Sequence, residues 1–258
     1  MPILIQVFIF IFLIQTLFFL FAAFYQTDKL TDLSYGLTFI LAAAYLLISQ
    51  KNFFLPQLLL MLMISLWGLR LSIYLFIRIL KIKKDKRFDK IRHRFFKFAR
   101  FWLFQAISVW LISLPTIIVL SSSQKKPLNL LMVLGLFIWL GGLIIETIAD
   151  YQKFIFKSRP ENKNKWIASG LWSLSRHPNY FGEMLCWWGI FIFSLPFLNN
   201  WQYLAIISPL FIAFILLFVS GVPPLEKRYQ QKYGKNPQYQ AYKKRVRLIL
   251  LWSKKLAS

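Results

Sequence analysis

Acidic residues are scarce in this chain, with nine Asp and Glu against 32 Lys and Arg, for a formal charge of +23 over 258 residues. Cysteine is rarer still. With Cys186 alone, neither an intramolecular disulfide nor a cysteine-cluster metal site can form. The two histidines, His93 and His177, lie in separate segments without ligand spacing, so no metal site is expected. There is no Gly/Ser linker, no internal repeat and no low-complexity tract beyond the apolar runs themselves, which predicts one membrane domain over 1–258.

Apolar residues fill the space that charge leaves. A hydrophobic content of 58%, with 27 Phe and 10 Trp and a mean hydropathy of +0.54, exceeds what one soluble core of this length needs. A bilayer is crossed by about 20 apolar residues. Candidate spans lie at 2–25, 33–49, 55–80, 101–121, 128–149, 181–198 and 202–222, which predicts an all-α, polytopic bundle of seven helices. The first carries Phe and Leu to its end, has no basic leader and no small-residue cleavage site, and so reads as a retained helix. The segment 81–100 holds ten Lys/Arg, 150–180 six and 223–258 ten, and Lys29 joins them on the same side of an odd-numbered topology. Only Lys51, Lys125 and Lys126 fall on the other side. This bias places the N-terminus outside and the C-terminus in the cytoplasm, most simply of a bacterial inner (plasma) membrane. Because the cations fall in blocks between apolar runs, nucleic acid is not an expected partner, whereas membrane lipids are.

Polar groups stand out against this background. Glu146 and Asp150 are four residues apart, so on a helix they share one face. One reading of Asp150 is a solvated helix end; the other has both carboxylates accept hydrogen bonds from a ligand, with Arg176, Lys153 or Lys157 as the nearby cation. The stretch Ser175-Arg176-His177-Pro178-Asn179-Tyr180-Phe181-Gly182-Glu183 gathers six hydrogen-bonding or charged side chains at the mouth of an apolar segment. Pro178 holds His177 extended, Asn179 is a candidate N-cap, and Tyr180 and Glu183 lie one turn apart. A helix N-terminus beside Arg176 and His177 attracts phosphate. The six cations of 150–180 also suit anionic lipid, and the aromatic-basic tail suits an interfacial helix or a cover that brings Tyr229 or Arg245 to the site. Arg70 and Tyr74 lie one turn apart within the third span; Asp32 and Tyr35 begin the second.

These residues resemble the steroid 5-alpha-reductase-like superfamily of membrane enzymes, in its bacterial and plant branch. The resemblance runs through Asp32-x-x-Tyr35-Gly36, Leu66-Trp67-Gly68-Leu69-Arg70-Leu71, Asp85-x-Arg87-Phe88, Gln105 to Pro115, Glu146-x-x-x-Asp150, Gly170-Leu171-Trp172 and Ser175 to Glu183. The Arg-His-Pro-x-Tyr-x-Gly core is shared with isoprenylcysteine carboxyl methyltransferases, as is the Tyr-x-x-Tyr-x-x-Arg-Val tail at Tyr239 to Val246. The resemblance implies NADPH bound by the half 101–258, with Asp150, Lys157, Asn179, Tyr180 and Glu183 facing the dinucleotide; the residues read above add Glu146, Arg176, His177 and Tyr229 as candidate cofactor contacts. It implies a lipophilic small-molecule substrate, a steroid or other enone, in the spans of 1–100. Tyr35, Arg70 and Tyr74 are the candidates to stabilise charge on a carbonyl oxygen. Two positions depart from the pattern: the reductases carry Asn where Glu146 stands, and their catalytic Tyr aligns with Trp67. A methyltransferase using S-adenosylmethionine and a non-catalytic lipid- or sterol-binding protein are the alternatives.

Overall fold

Within a bilayer a long apolar run finds no water for its backbone and closes its hydrogen bonds internally as a helix. A computed structural model, which describes residues 1–82, 85 and 88–252, has this form: α1 Ile3–Phe24, α2 Thr31–Gln50, α3 Leu55–Ile82, α4 Phe95–Ile112, α5 Leu114–Ser121, α6 Leu130–Ser158, α7 Pro178–Ser194, α8 Ile207–Phe214, α9 Val222–Tyr233 and α10 Pro237–Arg245. Among the described residues no strand occurs, and seven helical stretches are long and apolar enough to cross a membrane. Lys83, Lys84, Lys86 and Arg87 of the first basic segment, with Lys254 and Lys255 of the tail, lie outside the described residues. Large apolar side chains such as Leu17, Phe24, Phe137 and Phe218 are exposed, a surface suited to lipid tails and not to water.

Several boundaries differ from the sequence expectation. The span expected at 101–121 is two helices, because Ser113 ends α4 and Pro115 starts α5, where its missing N–H leaves no bond unmade. The fifth span continues through Asp150, Lys153 and Lys157 to Ser158, so these residues stand on α6 and not in a loop. The sixth begins at Pro178. The seventh is a 3-10 run at Asn200–Ile206, then α8, a π-helical turn at Ile215–Val219 and α9 with Pro223 and Pro224 in its first turn.

The chain divides into two compact units. The first comprises Met1–Val133 and Ile190–Ser208. Its helices are joined by uncharged polar groups buried in the apolar bundle: Gln15 Nε2 donates to Thr38 Oγ1 at 2.7 Å, and Gln105 Nε2 reaches Gln15 Oε1 at 3.0 Å and Ser34 Oγ at 3.1 Å. Where lipid offers no alternative partner, such bonds set which helices meet. At one end of this unit Arg92 pairs with Asp28 at 3.1 Å and with Asp89, and the Asp28 carboxylate also accepts from the Asp85 N–H at 2.7 Å. Gly36 on α2 faces Gly68 on α3, where a Cβ on Gly36 would stand 2.7 Å from the Gly68 carbonyl oxygen.

The second unit comprises Leu134–Gly189 and Pro209–Ser258. Two glycine pairs let α6 and α7 touch backbone to backbone: a Cβ on Gly189 would meet the Trp139 nitrogen at 2.5 Å, and one on Gly182 would meet the Glu146 nitrogen at 2.6 Å. Gly135 and Gly142 are seven residues apart, as are Gly182 and Gly189, so the close approach recurs every two turns. This crossing fixes Glu146 opposite the first turns of α7.

Candidate functional site

The second unit concentrates groups that are costly to bury. Glu146 and Asp150, one turn apart on α6, are 2% and 5% exposed, and Glu183 on α7 is 8% exposed. The solvated-helix-end reading of Asp150 therefore does not hold; the helix continues for two turns beyond it, and the carboxylate is inside.

The segment after α6 folds back on that helix. Gly170 takes a left-handed φ of +59°, which a side chain would strain, and starts a 3-10 turn. Gln152 on α6 accepts from the Leu171 N–H at 3.0 Å, and Trp172, fully buried, donates from Nε1 to the Ala149 carbonyl at 3.0 Å. Lys153 lies 4.5 Å over the Trp172 ring. Lys157 closes its own loop, its ammonium donating to the Lys165 carbonyl at 2.6 Å.

The tail packs on this segment. Tyr229, Tyr233, Tyr239 and Tyr242 cluster with Trp166, and the Tyr242 hydroxyl donates to the Trp172 carbonyl at 2.8 Å. Burial pushes the Tyr239 phenol up to about 12 and raises that of Tyr242 further, so both remain donors at neutral pH. The rings pack on one another and on Trp166, so the tail is docked on this segment. Beyond α10 the chain runs beside Ser175 and Arg176: the Arg176 N–H donates to the Arg247 carbonyl at 2.9 Å, and Ser175 Oγ donates to the Ile249 carbonyl at 2.7 Å.

Glu226 of α9 is the hub. Its carboxylate holds the Arg176 guanidinium, lies 3.1 Å from His177 Nε2 and 3.7 Å from Lys243 Nζ. His177 is 1% exposed and stacks on Tyr180 with ring centroids 5.5 Å apart and planes 8° apart. Burial, the dominant effect, holds its pKa below the usual histidine value; the hydrogen bond to Glu226 opposes this, and Lys153 and Arg176 add to it. Asn179 is not the N-cap. The helix starts at Pro178, and the Phe181 N–H reaches back to the His177 carbonyl at 3.2 Å, which puts Asn179 inside the first turn. Its Oδ1, His177 Nδ1 and Arg176 Nε are buried atoms with no hydrogen-bond partner among the described residues. Arg176, Lys243, Lys244, Val246, Arg247 and Leu248 to Leu250 line a cavity of about 620 Å³.

The second unit thus contains Glu146, Asp150, Lys157, Arg176, His177, Asn179, Tyr180, Glu183 and Tyr229, and brings Arg176, His177 and Tyr180 into contact around Glu226. Tyr35, Arg70 and Tyr74 belong to the first unit. There Tyr35 meets Phe39 at 5.2 Å and Trp67 at 6.4 Å between ring centroids, while Arg70 and Tyr74 are half-buried one turn apart on α3. Asp32 is taken by Arg78 at 3.1 Å. Sequence reasoning missed Glu226, Lys243, Lys244 and Arg247 as site residues. Glu226 had a signal, since it is the only acid after Glu183, set among ten cations.

The sequence model of the family described as "Protein of unknown function (DUF1295)" matches residues 18–246. Among curated proteins, "Probable O-methyltransferase ustE" of Ustilaginoidea virens is 44% identical over 46 residues, 18% of this chain and 16% of that protein. An uncharacterized protein of Schizosaccharomyces pombe is 24% identical over 56% of this chain and 46% of its own length. The chain spans less than half the length of either relative. No solved structure matches.

Proposed function

The chain belongs to the DUF1295 family, and from that premise we propose a membrane-bound, NADPH-dependent oxidoreductase that reduces a carbon–carbon double bond of a lipophilic substrate. The observation that carries the reading is the juxtaposition, in one unit, of a cavity of about 620 Å³ lined by four cations with three buried polar atoms lacking partners at the start of α7. Multiple phosphates account for the cations, and an amide or ribose accounts for the orphaned atoms. The motifs shared with steroid 5-alpha-reductase-like enzymes support the same assignment.

NADPH, when bound, supplies a hydride. Arg176, Lys243, Lys244 and Arg247 would hold its phosphates, and the buried Asp150 and Glu183 would accept from its hydroxyl or amide donors. Burial around α6 and α7 excludes water and strengthens each of these contacts. To Tyr35, Arg70 and Tyr74 we assign stabilisation of the negative charge that develops on a conjugated carbonyl oxygen. The test is a lipid-extract screen for NADPH consumption with mass-spectrometric detection. A product heavier by two hydrogens supports the reading; NADPH left unconsumed by every lipid fraction overturns it.

Methyl transfer from S-adenosylmethionine is the second reading, favoured by the 46-residue likeness to a probable O-methyltransferase. Its cofactor carries one carboxylate and no phosphate, and so matches the four cations less well than NADPH does, although Glu226 already holds Arg176 and lies near Lys243.

A further inference from the structure

His177 has one ring nitrogen 3.1 Å from a Glu226 oxygen and the other without a partner among the described residues, in a side chain 1% exposed. A carboxylate beside Arg176 and Lys243 is an acceptor only. Nε2 must then carry the proton. The doubly protonated ring would bury a charge together with an unpaired Nδ1 N–H, among Arg176 and Lys153, and burial already disfavours that form. A neutral ring with its proton on Nε2 leaves a lone pair on Nδ1. Two residues on, Asn179 Oδ1 is a second buried acceptor without a donor.

We infer that Glu226 is a positioning residue that fixes His177 as the Nε2–H tautomer, so that its Nδ1 lone pair, with Asn179 Oδ1, takes a hydrogen-bond donor of the ligand, an amide or amine N–H or a hydroxyl. An anion at Nδ1 would face its lone pair, whereas the cavity of Arg176, Lys243, Lys244 and Arg247 brings four cations together. His177 consequently cannot donate a proton from Nδ1, and any acid in the reaction is another group. The tautomer stands independently of the function proposed above; only the identity of the donor, the carboxamide or an amine of NADPH, rests on it.

With two histidines in the chain, a His93→Gln background leaves one imidazole to observe. In full-length protein in detergent, labelled with ¹⁵N-histidine, the expected spectrum at pH 7 is that of a single Nε2–H tautomer. An Nδ1–H tautomer, an imidazolium or an averaged mixture would overturn the inference. Glu226→Leu should convert the spectrum to a mixture, and Glu226→Asp should restore the fixed form. If Glu226→Leu does not fold, Glu226→Gln replaces it: one amide oxygen cannot serve both Arg176 and His177, so partial mixing is expected. An unchanged spectrum in whichever of the two folds contradicts the positioning role. Saturating NADPH should then shift the Nδ1 resonance. Binding without that shift defeats the donor assignment, and failure of NADPH to bind at all defeats the cofactor reading while the tautomer result stands.

Discussion

In a chain of charge +23, most carboxylates occur where a cation or the interior holds them: Asp28 with Arg92, Asp32 with Arg78, Glu226 with Arg176, and Glu146, Asp150 and Glu183 inside the second unit. Arg92→Ala would leave the buried Asp28 without its cation, and a loss of about 3–5 kcal/mol is expected in equilibrium unfolding in detergent. Asn179→Leu, similar in volume but without the acceptor, should weaken NADPH binding roughly five- to tenfold in equilibrium titrations. His177 makes stability depend on pH. Its folded pKa lies below the unfolded one, so the unfolded chain binds the proton more readily. Its contribution is complete above the unfolded pKa of about 6.5 and is lost as pH falls through the lower folded value. Thermal unfolding between pH 8 and 5 should show that fall, and His177→Gln should flatten it. At this scale the buried carboxylates and the Arg176–Glu183 run were legible, because ionisable groups in apolar surroundings are expensive. Glu226 left only a faint signal, a lone acid in a basic tail, because the alternation of aromatic and basic residues there fits an interfacial helix equally well.

Among the elements, α6 and α7 set the site through their glycines. Gly142→Ala and Gly182→Ala would each place a methyl 2.6 Å from backbone on the facing helix. Each should cost about 1–3 kcal/mol and weaken NADPH binding at the same time, because Glu146 moves with the crossing. Gly141 is the internal control. Nothing lies within 4 Å of a Cβ there, so Gly141→Ala should be neutral or stabilising by up to about 1 kcal/mol, read in the same thermal unfolding series. Hydropathy located the seven spans because a bilayer admits little else. It misplaced their ends where composition hides geometry: Pro115 interrupts an apolar run, and α6 continues into charged sequence, where Phe156 packs against Ala149, Ile167 and Trp172. The seven-residue glycine spacing was present in the sequence, but it acquires meaning only once two helices are known to face each other.

For the whole molecule, the seven apolar helices and the match over residues 18–246 establish a multi-pass membrane protein of the DUF1295 family. The proposal adds that its second unit holds a nucleotide. Trp166 and Trp172 stand in that unit, one within the tyrosine cluster and the other under Lys153, so their fluorescence should report occupancy. The most direct test is a titration of the detergent-purified chain with NADPH, NADH and S-adenosylmethionine, repeated on Arg176→Ala. Saturable quenching by NADPH, weaker with NADH, absent with S-adenosylmethionine and diminished in the variant is the predicted result. Saturable quenching by S-adenosylmethionine with none by NADPH would contradict it.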